Sequence, residues 1–200
     1  MLPTREQAEA LLKEAEICNP GRWGDHSRVA AVCAEKIARA CEDLDPEKAY
    51  ILGLLHDIGR KFGVRQLGHV SDGYSYMMSL GYEEAARICL THSFHNQTLD
   101  DYIGKFDTTE EELALIQNQL RAVSMDDYDR LIQLCDSLAD AGGVVSIEER
   151  MEDVRKRYGS YPPEKWNRNV ELKKYFEKKT GKDIYLIVRG NNKQAGKNNI

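Results

Sequence analysis

Apolar residues recur at helical spacing along almost the whole chain, and turn-forming residues separate the periodic segments. This pattern predicts an all-α fold, a multi-helix bundle with helices of ordinary length. The predicted helices cover residues 5–17, 25–41, 46–58, 69–80, 82–92, 109–122, 126–141, 147–157 and 163–179.

Several helix ends carry specific signals. Asp45-Pro46 predicts a helix start with aspartate as the cap, and Gly59 is interpreted as the residue that ends this helix. Thr109 and Glu112 have the spacing of a capping box. The polar residues 93–108 predict a long functional loop or lid.

The end of the chain departs from helical periodicity. Asp183–Arg189 is expected to form a short strand or an extended arm, and residues 190–200 are expected to be disordered. No internal repeat or linker divides the chain, so we expect a single domain over residues 1–189. In this domain, residues 147–189 are a C-terminal helical extension.

Composition narrows the class of protein. The 200 residues are 42% hydrophobic and 30% charged, as in ordinary globular proteins, and no apolar run is long enough to span a bilayer. The N-terminus lacks an apolar signal core. The five cysteines form no Cys-x-x-Cys pair, and we expect them to be small buried residues in a reducing compartment. The predicted localisation is cytoplasmic, with no membrane association.

Charge is unevenly distributed, because basic residues predominate after Val154 although the net charge is −5. Such a segment is compatible with a polyanion-binding arm or with a solvated helix face followed by a loose terminus. We favour the solvated face, since the segment lacks the interleaved aromatic residues of a single-strand binder. Nucleic acid is therefore not an expected partner.

Histidines and aspartates carry the candidate chemistry. His26 shares a helical face with Ala30, Cys33 and Ile37, and comparable apolar neighbours accompany His56, His69, His92 and Asp136. One inward histidine is more often a hydrogen-bonded core residue than a metal ligand. Four imidazoles with Asp136 and the adjacent Asp57 need a common compensating charge, which a divalent cation supplies.

These residues also carry a family resemblance. His26, then His56-Asp57 within Leu-Leu-His-Asp-Ile-Gly-Arg, then Asp136 in a later helix resemble the HD superfamily of metal-dependent phosphohydrolases. The resemblance covers residues 22–142, the core motif region. It implies an HD-domain helical bundle with a metal site in its core.

Two additional histidines, His69 and His92, extend the resemblance to bacterial dinuclear HD hydrolases that cleave diadenosine polyphosphates. That likeness implies two divalent ions per chain, chosen among Fe, Mn, Ni, Co, Zn and Mg, with Asp57 bridging them. The implied ligands are His26, His56, Asp57 and Asp136 for the first ion, and Asp57, His69 and His92 for the second.

The predicted function is hydrolysis of a phosphoester or phosphoanhydride in a nucleotide or related small molecule, by a metal-activated hydroxide. Asp57, Arg60 and His95 are the candidate catalytic residues. Arg60 would contact a substrate phosphate, or else act as a helix-terminal cation. His95 would contact phosphate or donate a proton, or else be a loop histidine. Weaker candidates for phosphate contact are Lys61, Arg22 and Arg28.

Two other functions stay open. Some HD-fold proteins with the same six ligands are di-iron oxygenases, and imidazole and carboxylate also suit iron. A non-catalytic domain that binds a nucleotide is the other alternative. The sequence has no glycine-rich phosphate loop. It also has no Gly-x-Ser-x-Gly elbow and no cysteine nucleophile context, so covalent catalysis is not indicated. The exact substrate and the oligomeric state are not predicted.

Overall fold

The computed structural model describes residues 1–190 and shows an all-α protein with one short β-hairpin, which confirms the predicted fold class. Two short 3-10 helices span Ile58–Phe62 and Leu99–Asp101. The helices are α1 Arg5–Cys18, α2 Trp23–Ala40, α3 Pro46–Leu55, α4 Gly68–Ser79, α5 Glu83–Thr91, α6 Glu110–Ala122, α7 Asp127–Leu138, α8 Ile147–Tyr158, α9 Pro163–Thr180 and α10 Ile184–Arg189.

Helix starts follow local chemistry. The Asp45 side chain accepts hydrogen bonds from the first turn of α3, where Pro46 lacks an N–H to satisfy. The predicted capping box is confirmed at α6, since the Thr109 side chain accepts from the Glu112 N–H and the Glu112 side chain accepts from the Thr109 N–H. These caps satisfy backbone donors that each helix leaves unpaired.

The core is built around α2 and α3, with α7 packed across both. Gly53 of α3 allows the close approach of α3 to α2, because a Cβ at this position would lie 2.8 Å from the Ala31 Cα. A smaller apolar cluster joins α4, α5 and α6 around the fully buried Phe94. Four of the five cysteines are buried, whereas Cys18 is exposed.

The interpretation of Gly59 as a helix-ending residue is wrong. Helix α3 ends at Leu55, and Gly59 lies inside the 3-10 helix that follows. A Cβ at Gly59 would lie 2.5 Å from the Gly73 N and would collide with the His69 carbonyl. Gly59 is therefore required by close backbone packing against α4, and not by a left-handed turn.

The expected strand or extended arm over residues 183–189 is also wrong, because Ile184–Arg189 is helical. The Asp183 side chain caps this helix by accepting from the Leu186 N–H. Its buried side chains, Ile184 and Val188, are four residues apart and face the core. Tertiary packing thus overrides the strand propensity of this apolar run.

Three further segments complete the described chain. Residues 93–108 form a loop interrupted by the 3-10 helix Leu99–Asp101. Helix α7 ends at Leu138, earlier than expected, because the antiparallel strands β1 (Ala139–Asp140) and β2 (Gly143–Val144) follow it. Within residues 1–190 no helix combines the length and apolar character needed to cross a bilayer. The tail predicted to be disordered lies, from residue 191 on, outside the described residues.

Candidate metal centre

Six side chains from five helical segments converge at one point in the bundle. Helix α2 supplies one in its first turn, α3 and α5 supply the residues that cap their C-termini, α4 supplies one at its N-terminus, and α7 supplies one in its last turns. The sixth directly follows the residue that caps α3 and precedes the 3-10 helix Ile58–Phe62. The converging residues are His26, His56, Asp57, His69, His92 and Asp136.

Each of the four histidines is held through its Nδ1 by a backbone carbonyl. A carbonyl oxygen can only accept, so each Nδ1 carries a proton and donates it. This leaves each Nε2 pointing toward the shared centre. The pairs are His26 with the Ala139 oxygen at 3.2 Å, His56 with the Gly53 oxygen at 2.7 Å, His69 with the Gln66 oxygen, and His92 with the Cys89 oxygen at 2.9 Å.

The Nε2 atoms face one another, and too few N–H or O–H groups lie among them to donate a hydrogen bond to each lone pair. Burial lowers the pKa of His56. Burial, followed by the nearby ring of His56, lowers the pKa of His92 to about 3. Both rings are therefore neutral. The Nε2 of His56 is buried with no hydrogen-bond partner within residues 1–190. The Nε2 atoms of His69 and His92 lie 3.3 Å apart. Converging lone pairs of this kind fit a cation between them.

The two carboxylates lie among these nitrogens. Asp57 Oδ1 is 3.1 Å from His69 Nε2 and 3.6 Å from His92 Nε2, while Asp57 Oδ2 is 4.0 Å from His56 Nε2. Asp136 Oδ1 is 3.0 Å from His26 Nε2. Burial opposes ionisation of Asp57, but Arg60 and the neighbouring histidines hold its pKa well below the usual range.

The donor set fits divalent metal ions. Two groups of buried ligand atoms, each with all its atoms within 4.8 Å of one another, share one carboxylate, that of Asp57. The two groups are His26, His56 and Asp57, and Asp57, His69 and His92. Asp136, the sixth predicted ligand, belongs to neither group, but it lies beside the first through its 3.0 Å contact with His26 Nε2.

A cavity of about 370 Å³ opens over the centre and is rich in cationic side chains. Sequence reasoning missed the three that come from the C-terminal helices. The excess of basic residues after Val154 was the available signal for two of them, Arg157 and Lys165. The expectation of a solvated helix face fails for Lys165, which is buried, whereas Arg157 is exposed. The lining cations are Arg22, Arg60, Arg150, Arg157 and Lys165.

Arg60 lies at the edge of the metal centre, where its Nε donates to Asp57 Oδ2 at 2.6 Å. Burial acts against its charge, but Asp57 raises the pKa of Arg60, so the guanidinium stays cationic. Lys61 does not line the cavity and donates to Glu14 at 2.8 Å. Arg28 is likewise held by Glu16, through contacts of 2.7 and 2.6 Å.

His95 is buried in the cavity wall beside a polar network of α9. Its Nε2 lies 3.2 Å from Asn169 Oδ1, which also accepts a hydrogen bond from Ser137 Oγ at 2.6 Å. Burial, followed by the charge of Lys165, holds the pKa of His95 well below its usual value. The ring is therefore neutral, and its Nδ1, without a partner in residues 1–190, is an acceptor.

Comparison with known proteins agrees with this arrangement. The model of the HD domain family matches residues 23–141, which is more than half of the chain and includes all six converging residues. No curated protein and no solved structure matches the chain. The likeness to diadenosine polyphosphate hydrolases stays a prediction. The family consists generally of metal-dependent phosphohydrolases, and, with its buried His/Asp cluster in place, this chain belongs to the HD domain family.

Proposed function

We propose that this protein is a metal-dependent phosphohydrolase that cleaves a phosphoester or phosphoanhydride bond in a nucleotide or related small molecule. The observation that carries the proposal is the position of the His/Asp cluster at the wall of a cavity lined by five cations. A phosphate group would be attracted to this cavity and held next to the metal ligands.

The six converging residues would hold two divalent ions, with Asp57 shared between the two ligand groups. When bound, such ions supply activation of a water molecule and neutralisation of charge on the phosphoryl oxygens. The carbonyl contacts of the histidines fix which ring nitrogen is available and how each ring is oriented, so the ligands are organised before binding.

Two other residues have proposed roles in catalysis. Arg60 keeps its Nε on Asp57 and lines the cavity, so its remaining N–H groups can donate to a phosphoryl oxygen. His95, neutral and bonded through Nε2 to Asn169, would accept a hydrogen bond through Nδ1. That role suits orientation of a water molecule or of a substrate hydroxyl better than donation of a proton.

An adjoining cavity supports a nucleotide as the substrate. Its volume is about 560 Å³, and it shares Tyr102, Ile103, Arg157 and Tyr158 with the cavity over the metal centre. Two tyrosines and an isoleucine offer apolar and aromatic surface for a planar base, while Arg157 lies where a phosphate and a base would join.

The alternatives are a di-iron oxygenase and a non-catalytic nucleotide-binding domain. The ligand set suits iron as well as other divalent metals. The five lining cations favour an anionic substrate, and a binding domain would not need six organised metal ligands. Both observations support the hydrolase.

The test is to purify the protein with its native metal, measure metal per chain, and screen nucleotides in air and without oxygen. We expect phosphate release that is independent of oxygen and absent from the His56→Ala variant. Turnover that requires oxygen and releases no phosphate would establish the oxygenase instead. Nucleotide binding without turnover in fully metal-loaded protein would establish the binding domain.

A further inference from the structure

We propose that Arg150 of α8 and Lys165 of α9 form a second anion subsite, which binds a phosphate group other than the one being cleaved. The subsite would select substrates with two or more phosphates over monophosphates. This inference rests on the proposed hydrolase function and deepens it. Both residues follow residue 141, the last one that the family model matches.

Lys165 is a buried cation without a carboxylate partner among residues 1–190. Its residue is 8% exposed, and its Nζ donates to two backbone oxygens, those of Ser93 at 2.8 Å and Asp101 at 2.9 Å. An ammonium has three donors, so one N–H is left for the cavity that Lys165 lines. Burying a charge without a counter-ion is costly, and an anionic ligand would offset this cost.

Arg150, on the neighbouring helix α8, likewise has no close carboxylate partner among residues 1–190. Its side chain is 22% exposed, and its contact with Asp153 is long, at 4.0 Å. Within the described part of the chain its guanidinium makes no hydrogen bond. Arg155 of the same helix, by contrast, donates to Glu152 at 2.9 and 2.7 Å. The guanidinium of Arg150 is therefore free to bind a planar, multiply charged oxyanion.

The pair is not bonded to the metal centre. Arg60 is bonded to Asp57, whereas no hydrogen bond or ion pair joins Arg150 or Lys165 to any of the six converging residues in residues 1–190. All of these cations nevertheless line the same cavity. A phosphate at the metal centre would thus leave Arg150 and Lys165 for another phosphate of the same molecule.

Calorimetry with hydrolysis-resistant phosphonates tests the subsite in manganese-loaded protein. We expect methylenebisphosphonate to bind more tightly than methylphosphonate. Arg150→Gln and Lys165→Gln should each weaken bisphosphonate binding by about tenfold, the worth of one charged hydrogen bond, and methylphosphonate binding by less than about twofold. Arg155→Gln and Lys174→Gln, which make the same changes outside the cavity on α8 and α9, should leave both affinities unchanged.

Either of two results would overturn the subsite. One is an equal loss of affinity for both phosphonates, and the other is an unchanged bisphosphonate affinity in both variants. Arg150→Gln keeps the test decisive should Lys165→Gln fail to fold, since Arg150 holds no backbone oxygen. A selective loss in protein that releases no phosphate from any nucleotide would refute the hydrolase alone. Phosphate release together with either of those two results would refute the subsite alone.

Discussion

Helix α7 carries two inward aspartates, one at each end, and their surroundings differ. Asp129 near the N-terminus is fully buried and accepts hydrogen bonds from Thr91 Oγ1 at 2.7 Å and from the Asp126 N–H at 2.8 Å, with Arg87 3.4 Å away. Asp136 near the C-terminus borders the cavity, and its Oδ1 lies 3.0 Å from the Nε2 of His26 and 3.9 Å from the Nε2 of His56.

The difference separates a structural carboxylate from a candidate metal ligand. Asp129 is surrounded by donors that satisfy it within the fold, although burial raises its pKa. Asp136 faces ring nitrogens that are themselves held by backbone carbonyls on the opposite side. A buried acid whose neighbours are acceptors needs a cation, while a buried acid whose neighbours are donors does not.

The largest predicted effect is a loss of metal binding when Asp136, but not Asp129, is replaced by asparagine. Asp136→Asn should lower metal affinity by more than about 100-fold, because it removes a ligand and not merely the support of one. Asp129→Asn should keep the full metal content, since an amide oxygen can still accept from Thr91. Metal analysis and phosphate release measure both. Loss of metal from Asp129→Asn would remove the distinction between the two ends of α7.

His69→Gln tests whether the ligand cluster divides into two sites. His69 belongs to the ligand group that excludes His26 and His56, so its loss should remove one ion and leave one. Elemental analysis of protein saturated with manganese should give about two ions per chain in the wild type and about one in the variant. A variant that loses both ions, or a wild type that binds one, would contradict the two-site arrangement.

Removing the metal should lower the stability of the whole protein. Chelation leaves the cluster of lone pairs and carboxylates without its cation. A metal ion present at about 100 times its Kd stabilises the folded state by roughly 2.7 kcal/mol, and chelation removes this contribution. For a chain of this size the Tm should fall by about 5–10 °C. The Asp57→Asn variant should show little response to chelator, and an equal response in both proteins would argue against metal-linked stability.

Gly59→Ala should act on the metal centre through packing. The added Cβ would meet the backbone of α4 next to His69, and we expect a loss of about 1–3 kcal/mol in unfolding free energy, with weaker binding of one ion. Gly142→Ala is the matched control, because a Cβ there makes only an ordinary 3.4 Å contact with Asp140. Denaturant unfolding and metal titration give the comparison.

Lys61→Gln should have the smallest effect, a change in kcat/KM of less than about twofold, since Lys61 is held by Glu14 away from the cavity. Arg60→Gln, one residue earlier, should lower kcat/KM by about 100-fold, as loss of a group that stabilises the transition state does. Equal effects of the two changes on kcat/KM would contradict the proposed contact between Arg60 and phosphate.

The inward positions of the candidate ligands were predictable from sequence, because helical spacing reports which residues face the core. His26, His92 and Asp136 each share a face with apolar neighbours, and this local signal needs no knowledge of the tertiary fold. The helices of the HD region were predictable for the same reason. Asp129 shows the limit of the signal, since it also lies inward on α7 without being part of the metal centre.

The wall of the cavity was not predictable, because it depends on contacts between distant parts of the chain. Arg150 and Lys165 reach the cavity only through the way α8 and α9 fold back on the ligand-bearing helices. In the same way, Ile184–Arg189 became helical through its cap and its packing against the core, against its local propensity. Such contacts between distant parts of the chain cannot be read from the local sequence alone.

Three of the four histidines are oriented by their own stretch of chain. His56, His69 and His92 each donate a hydrogen bond through Nδ1–H to the carbonyl three residues earlier, at Gly53, Gln66 and Cys89. Each is thus a self-contained unit of four residues at a helix terminus, which aims a lone pair without help from a second element. Such units are portable: a designer could place them at the ends of helices in an unrelated bundle and adjust only the distances between them.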